Sequence, residues 1–285
     1  MPVLTLREIR KRIRGAQKTK QITRTMQMVA ASRLKKSEEK FRQAKPFAQK
    51  MEMILSHLQQ FSEEFSHPFF ETREVKSIGL VVVTSDRGLC GAYNGNVIGR
   101  AEEFLAEHAA QTVKLMLIGK KGYDYFRKRD WPILLKSLDI AGKGDFQRIS
   151  DITQQIIQAY LSREVDAVYL IYTSYLSAMS VKPVCMKFLN LQQEGEAKPV
   201  QTILEPSLPE ILDRFLPQFV TSKMYISLME AFTAENSARM IAMKTATDNA
   251  KEMIDRLTLQ RNKARQAAIT KEILEIVTAG EALKG

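Results

Sequence analysis

Two long stretches of this sequence lack the residues that break helices. Between Phe219 and Ala279 there is no proline and no glycine, and between Thr5 and His67 only Gly15 and Pro46 intervene. Apolar runs are short as well, none approaching the roughly 20 residues of a membrane-spanning helix. The opening MPVLTLREIRKRIRG carries no apolar core of the kind a secretory signal needs. The two cysteines, Cys90 and Cys185, match no metal or redox spacing, which points to reduced thiols in a cytosolic compartment. The three histidines, His57, His67 and His108, stand isolated, without metal-ligand spacing to cysteine or carboxylate. Neither phosphate-binding glycine pattern, G-x-G-x-x-G or G-x-x-x-x-G-K-[ST], occurs, and there is no G-x-S-x-G nucleophile elbow. These absences exclude a helical membrane span and a disulfide scaffold. They also leave no expectation of a metal, a cofactor or a catalytic residue.

What is present is unevenly placed. Residues 1–50 hold 15 Lys and Arg against 3 Asp and Glu, a net +12, and the other 235 residues hold 28 against 29. All of the chain's net +11 therefore sits on its first element. That calls for acidic groups on a partner, whether nucleic acid, a membrane surface or a protein, unless the charge only solvates a helix face.

That first element reads as a helix. Thr5 and Glu8 form a capping box, with Leu4 and Ile9 placed as its hydrophobic staple. Leu6, Ile9, Ile13, Ala16, Thr23, Ala30, Leu34, Phe41, Ala44, Ala48, Met51, Leu55 and Leu58 then follow at steps of mostly three and four. The stripe keeps its phase across Pro46, which predicts a bend there without an end. The far end mirrors this, with Ile226, Met229, Met240, Met243, Ala250, Ile254, Leu257, Ala264 and Ala268 on a stripe of its own. At 1.5 Å per residue the two segments give rods of roughly 87 and 90 Å. Neither would be stable alone in water, so the expectation is one antiparallel coiled coil. A parallel pair, or two helices packed flat on a domain, are the alternatives. Met26, Met28, Met224, Met229, Met240 and Met243 are expected to pack the seam.

Between the rods the texture changes. Ten of the 13 glycines lie from Gly79 to Gly195. IGLVVVTSD (78–86) reads as a strand buried on both faces. Residues 92–109 read as a helix, 113–119 as a strand and 121–129 as a short helix. An amphipathic helix capped by Ser150 is expected over 150–163, then strands over 166–175 and 180–190. The alternation predicts an open, Rossmann-like α/β domain, close to doubly wound. Ser207 and Glu210 form a second capping box with Pro209 in the first turn, and Pro217 marks a bend or a restart before the long helix. The expected fold is thus α+α/β, with coiled-coil helices over 1–64 and 207–285 around a central domain over 75–204.

The stretch nearest to enzyme chemistry is TSDRGLCGAYNGNV (84–97), a strand, a glycine-bearing turn and a helix. Such turns can aim backbone N–H groups at phosphate, but Gly88 and Gly91 supply only G-x-x-G. A tight structural turn is the competing reading, with Asp86 and Arg87 tying it down or facing a partner. The basic helix could serve nucleic acid, yet no recognisable reading element accompanies it.

Two stretches carry a resemblance. TKQITRTMQMVAASRLKK (19–36) and ENSARMIAMKTATDNAKEMIDRLTLQRNKARQAAITKEILEIVTAGEAL (235–283) closely resemble the terminal signatures of the F-type ATP synthase gamma subunit. The TSDRGLCGAYN turn and the ILEP segment resemble that family as well, so the likeness spans the chain. It implies a non-catalytic rotor shaft: two terminal helices turning inside a ring of three alpha and three beta subunits. The α/β domain would then lie against the epsilon subunit and the c-subunit ring. Nucleotide would be held by the ring, no nucleic acid would be bound, and the membrane would be met only through the c ring. By residue, the resemblance implies ring contacts at Arg265, Gln266 and Thr270 of RQAAIT, at Met26, and at the charged coupling positions Arg239 and Glu275. Glu205 of ILEP matches a position meeting the c ring or epsilon. For Met26, simple seam packing is the alternative. Arg261 departs from the family's usual aromatic residue before Asn262. The chloroplast-type cysteine insertion is absent. Without a transit peptide, the expected setting is the cytoplasmic face of a bacterial plasma membrane.

Overall fold

A computed structural model describes residues 5–59, 67–140, 145–191 and 207–282. The chain forms two compact units, Met1–Val29 with Met240–Gly285, and Ala30–Arg239. Two long helices, α1 (Leu6–Gln59) and α5 (Leu208–Ala282), contribute to both. Glu205, and the staple residue Leu4, lie outside the described residues.

Helix α1 begins where the capping box sets it. The Glu8 amide donates to Thr5 Oγ1 at 3.3 Å, and the Thr5 amide donates to Glu8 Oε2 at 2.9 Å. A stripe of buried and half-buried positions runs through 9, 13, 16, 20, 23, 27, 30, 34, 37, 41, 44, 48, 51, 55 and 58, fourteen steps over 49 residues. The mean step of 3.5 is the coiled-coil period. Pro46 sits inside this helix without ending it.

In the first unit the partner stripe on α5 is 243, 247, 250, 254, 257, 261, 264 and 268, again at steps of three and four. Ile9 and Ile13 pack with Leu257 and Ala264, and the hydroxyls of Thr23 and Thr247 lie 2.8 Å apart. As α1 advances from residue 9 to 23, its contacts on α5 fall from the 257–264 region to 247. The pair is antiparallel. Thr23, Ala16 and Ala250 on the seam let the two backbones approach closely, as small residues do. Met243 is buried in this seam. Met28 is not: it is 58% exposed, because the stripe passes through position 27 and leaves 28 turned outward. Met224 and Met229 are buried in the second unit, in the core of the α/β domain.

That second unit is built on a five-stranded sheet of order β3-β2-β1-β4-β5. Its strands are β1 (Ser77–Val83), β2 (Thr112–Ile118), β3 (Ile133–Ser137), β4 (Ala167–Ser177) and β5 (Ser180–Leu189). The first four are parallel, while β5 returns antiparallel beside β4 as a hairpin. On one face lie α2 (Tyr93–Glu107) and α3 (Lys120–Phe126), over Leu80, Val82, Leu115 and Leu117. The other face, through Val81, Val83, Met116 and Leu170, packs on α4 (Phe146–Leu161), on Met51, Leu55 and Leu58 of α1, and on Leu212 to Phe232 of α5. The alternation along β1, β2 and β4 supplies both cores at once, which explains the unbroken apolar run of a parallel strand.

Four sequence expectations shift. Helix α4 is capped by Asp145, whose side chain accepts from the Gln147 amide at 3.1 Å, and Ser150 lies inside it. The short β3 had no expected counterpart. Residues 84–86 leave the first strand and begin the turn. No helix restarts at Pro217, because α5 runs through it from Leu208.

Candidate functional site

In doubly wound sheets, ligands bind beyond the carboxyl ends of the strands where the strand order reverses. Here that point lies between β1 and β4, and it receives the 84–91 turn. Gly91 at φ 59° and Leu89 at φ 64° put two left-handed residues into the turn. Ser85 donates from both its amide and its hydroxyl to Asn94 Oδ1, each at 3.0 Å. Asp86 accepts from the amides of Lys120 and Asp139 at 3.0 and 3.1 Å, which confirms that it ties the turn down. A Cβ on Gly119 would stand 2.0 Å from the Thr84 carbonyl oxygen, so the strand end and α3 also meet without a gap.

The crevice itself is filled by the chain. Cys90 and Tyr93 are buried against Ala234 of α5, with Ala238, Tyr175 and Val181 at their margin. Tyr93 donates its hydroxyl to the Ala231 carbonyl at 3.1 Å. Arg239 is 8% exposed and pairs with Glu235 at 2.7 Å while donating to the carbonyls of Arg87 and Gly88. Burial pushes the Glu235 carboxyl upward, and the Arg239 guanidinium opposes that shift. Two carbonyls of the turn are thus held by Arg239, and helix α5 packs over Cys90 and Tyr93. No cluster of three or more His, Cys, Asp and Glu suited to a metal occurs among the described residues.

The residues expected to meet partners fall into two groups. Arg265, Gln266, Thr270 and Glu275 all lie exposed on the last part of α5, with Glu275 within 3.5 Å of Lys271. Met26 is half-buried beside the seam. Arg239 is placed otherwise: its guanidinium is enclosed and engaged within the chain. Arg261 occupies a seam position, half-buried, with its guanidinium turned toward Asn262 Oδ1 at 3.2 Å. Its methylene stem can fill the seam while the charge reaches water.

Sequence reasoning missed the character of the α5 end. Residues 269–279 are exposed at every position, and they include Ile269, Ile273, Leu274, Ile276 and Val277. The signal was available in arithmetic. In the antiparallel pair residues 23 and 247 face each other, so positions beyond about 265 have no α1 residue opposite. Facing the same solvent on α1 are Arg7, Arg10, Lys11, Arg12, Arg14, Lys18 and Arg24, all exposed. The first unit thus offers a basic strand and an apolar, unpartnered helix end. Clustered exposed apolar side chains of this kind are what protein-partner surfaces present.

Comparison with known proteins agrees. A family model described as ATP synthase matches residues 5–283. The chain is 42% identical to the ATP synthase gamma chain of Protochlamydia amoebophila over 283 residues, 98% of this chain and 99% of the relative. It is 41% identical to the ATP synthase gamma chain of Desulfitobacterium hafniense, at the same coverage. Among solved structures it resembles a chain of the Euglena gracilis mitochondrial ATP synthase OSCP/F1/c-ring assembly, with TM-score 0.68 and 19% identity over 98% of this chain and 94% of that one. It also resembles a chain of the Tetrahymena thermophila mitochondrial ATP synthase central stalk and c ring, with TM-score 0.61 and 24% identity over 79% and 99%. With an antiparallel helix pair, a mixed-sheet domain packed on α5, and these relatives along nearly its whole length, the chain belongs to the ATP synthase gamma-chain family.

Proposed function

We propose that this chain is the central-stalk shaft of an F-type ATP synthase, coupling rotation of the c ring to the alpha and beta catalytic ring. The observation that carries this reading is the α5 end, where large apolar side chains stand exposed on a helix that has outrun its partner. A lone amphipathic or apolar helix is marginal in water. A surrounding sleeve of other chains would stabilise it.

In this reading Arg265, Gln266, Thr270 and Glu275, with Met26, meet the ring of three alpha and three beta subunits. The exposure of the four α5 residues suits contacts that form and break at each step, since exposed ion pairs contribute only about 0–1 kcal/mol each. The net +12 of residues 1–50 complements acidic groups on that ring and favours encounter over tight capture. A shaft whose outline differs from side to side favours different conformations of the sleeve at different angles, and that differential contact transmits the work. Glu205 meets the c ring or epsilon. The helices over 1–64 and 207–285 form the shaft, and residues 75–204 the base. The chain itself is non-catalytic, and it sits at the cytoplasmic face of a bacterial plasma membrane through the c ring.

The test is biochemical. The pure chain is expected neither to bind nor to hydrolyse ATP, and to co-purify with larger nucleotide-binding subunits. ATP hydrolysis by the pure chain overturns the reading.

A further inference from the structure

In the first unit, α1 brings large apolar side chains to its seam with α5 at one end only. Ile9 and Ile13 pack on Leu257, and knobs of that size fix how far one helix stands along the other. After Ile13 the stripe on α1 continues through Ala16, Lys20, Thr23 and Gln27, none of them large and apolar. Small side chains let the backbones approach but interlock weakly, so shape alone sets the axial register poorly there.

A hydrogen bond crosses the seam in this stretch. The hydroxyl oxygens of Thr23, which is buried, and Thr247 lie 2.8 Å apart. Each also has a carbonyl of its own helix in reach, that of Lys20 at 3.1 Å for Thr23 and that of Met243 at 2.8 Å for Thr247. A hydroxyl carries one proton and two lone pairs. One hydroxyl therefore donates across the seam, and the one that accepts donates to its own helix. The roles can be exchanged and both groups stay satisfied. A slip of one turn sets Thr23 against Ala250 or Met243, where no side-chain hydroxyl stands, and the crossing bond is lost. Stability does not call for these hydroxyls. Valine has the shape of threonine, and replacing both members of a buried pair by apolar groups of the same shape is close to neutral or stabilising. What a polar contact in a helix seam does well is select one register among several.

We propose that the Thr23–Thr247 hydroxyl pair sets the register of the two helices. Both are positioning residues. They fix how far the end of α5, with Arg265, Gln266 and Thr270, stands beyond the start of α1, and a slip of one turn would move those residues by about 5.4 Å. In an assembled complex such a displacement loosens the coupling between rotation and catalysis without abolishing hydrolysis. The inference rests on reading the chain as the shaft of a rotary synthase.

Register is read by disulfide trapping in the full chain carrying Cys185→Ser. By the count that opposes 23 to 247, Ala16 faces Ile254, and a one-turn slip brings it to Ala250. Ala16→Cys with Ile254→Cys should oxidise at least about fivefold faster than Ala16→Cys with Ala250→Cys, the factor that one hydrogen bond provides. Adding Thr23→Val and Thr247→Val should bring the two rates within about twofold, while the urea midpoint stays level or rises. Thr23→Ser with Thr247→Ser keeps both hydroxyls and loses both methyls, so it should unfold more easily and still keep the preference. In the assembled complex the valine pair should move fewer protons per ATP hydrolysed, and the serine pair should restore the ratio. A valine pair that keeps the parent's oxidation preference overturns the inference. So does one that unfolds far more readily than the parent, since the hydroxyls would then serve stability. If the chain does not co-purify with nucleotide-binding subunits, it is the stalk reading that fails, and the oxidation rates still decide the register.

Discussion

Along α5, residues 227–239 and residues 269–279 share one helix and have opposite surroundings. In the first stretch only Glu230 and Ala238 escape full burial, and the enclosed set includes Ser227, Thr233, Glu235, Asn236, Ser237 and Arg239. In the second every residue is exposed, although five are large and apolar. Hydrophobicity alone would have assigned them the other way round. The polar residues go inside because each finds a partner there: Arg239 on Glu235 and two carbonyls, Asn236 on the Phe232 carbonyl, Ser237 on the hairpin. The apolar ones stay outside because no described residue of α1 lies opposite them. The first stretch is enclosed by the chain's own fold, and the second stands in solvent.

Substitutions should separate the two stretches by size of effect. Arg239→Ala leaves the Glu235 carboxylate enclosed without its partner, and should cost about 3–5 kcal/mol in urea unfolding. Next comes the seam of the helix pair: Leu257→Ala removes a buried side chain packed on Ile9 and Ile13 and should cost about 2–3 kcal/mol.

A smaller effect is expected from pH. Burial holds the His67 ring below its ordinary value of 6.5, with the exposed Asp213 carboxylate opposing it, and the ring's Nδ1 accepts from the Phe69 amide at 3.2 Å. The unfolded chain then binds more protons than the folded one just below 6.5, so this contribution is present above that value and lost as pH falls. Comparing unfolding midpoints at pH 7.5 and 5.5, the parent chain should lose more stability than His67→Gln. Equal losses would contradict the assignment. Smallest of all, Ile276→Ala should change the stability of the free chain by less than about 0.5 kcal/mol, since the residue is 71% exposed. Its effect should appear only in the rate of the assembled complex. A large loss of stability in the free chain would mean that this end is covered by the chain itself.

Much of this was legible in the residues. The stripes on α1 and α5 announce themselves because small and apolar residues repeat at a fixed period over many turns, and Thr5 with Glu8 fixes where α1 starts. Phase is finer than composition, which is why Met28 was assigned to a seam that passes through position 27. The α4 start was misplaced because DFQRISD offers two capping residues, and only the backbone decides for Asp145. β3 is five residues long beside Pro132 and carries too little pattern to stand out. The internal role of Arg239 could not be read at all, because its carbonyl partners lie more than 150 residues away. The exposed end of α5 was legible only after the two helices had been set against each other in register.

The central claim is that this end works against a stationary ring, and one position tests it directly. Gln266→Cys, exposed on the helix, should form a disulfide with a cysteine introduced on a facing beta subunit of the assembled complex. ATP hydrolysis should be lost on oxidation and return on reduction. A complex that keeps its full rate with the crosslink in place would contradict the claim that this helix turns within the ring.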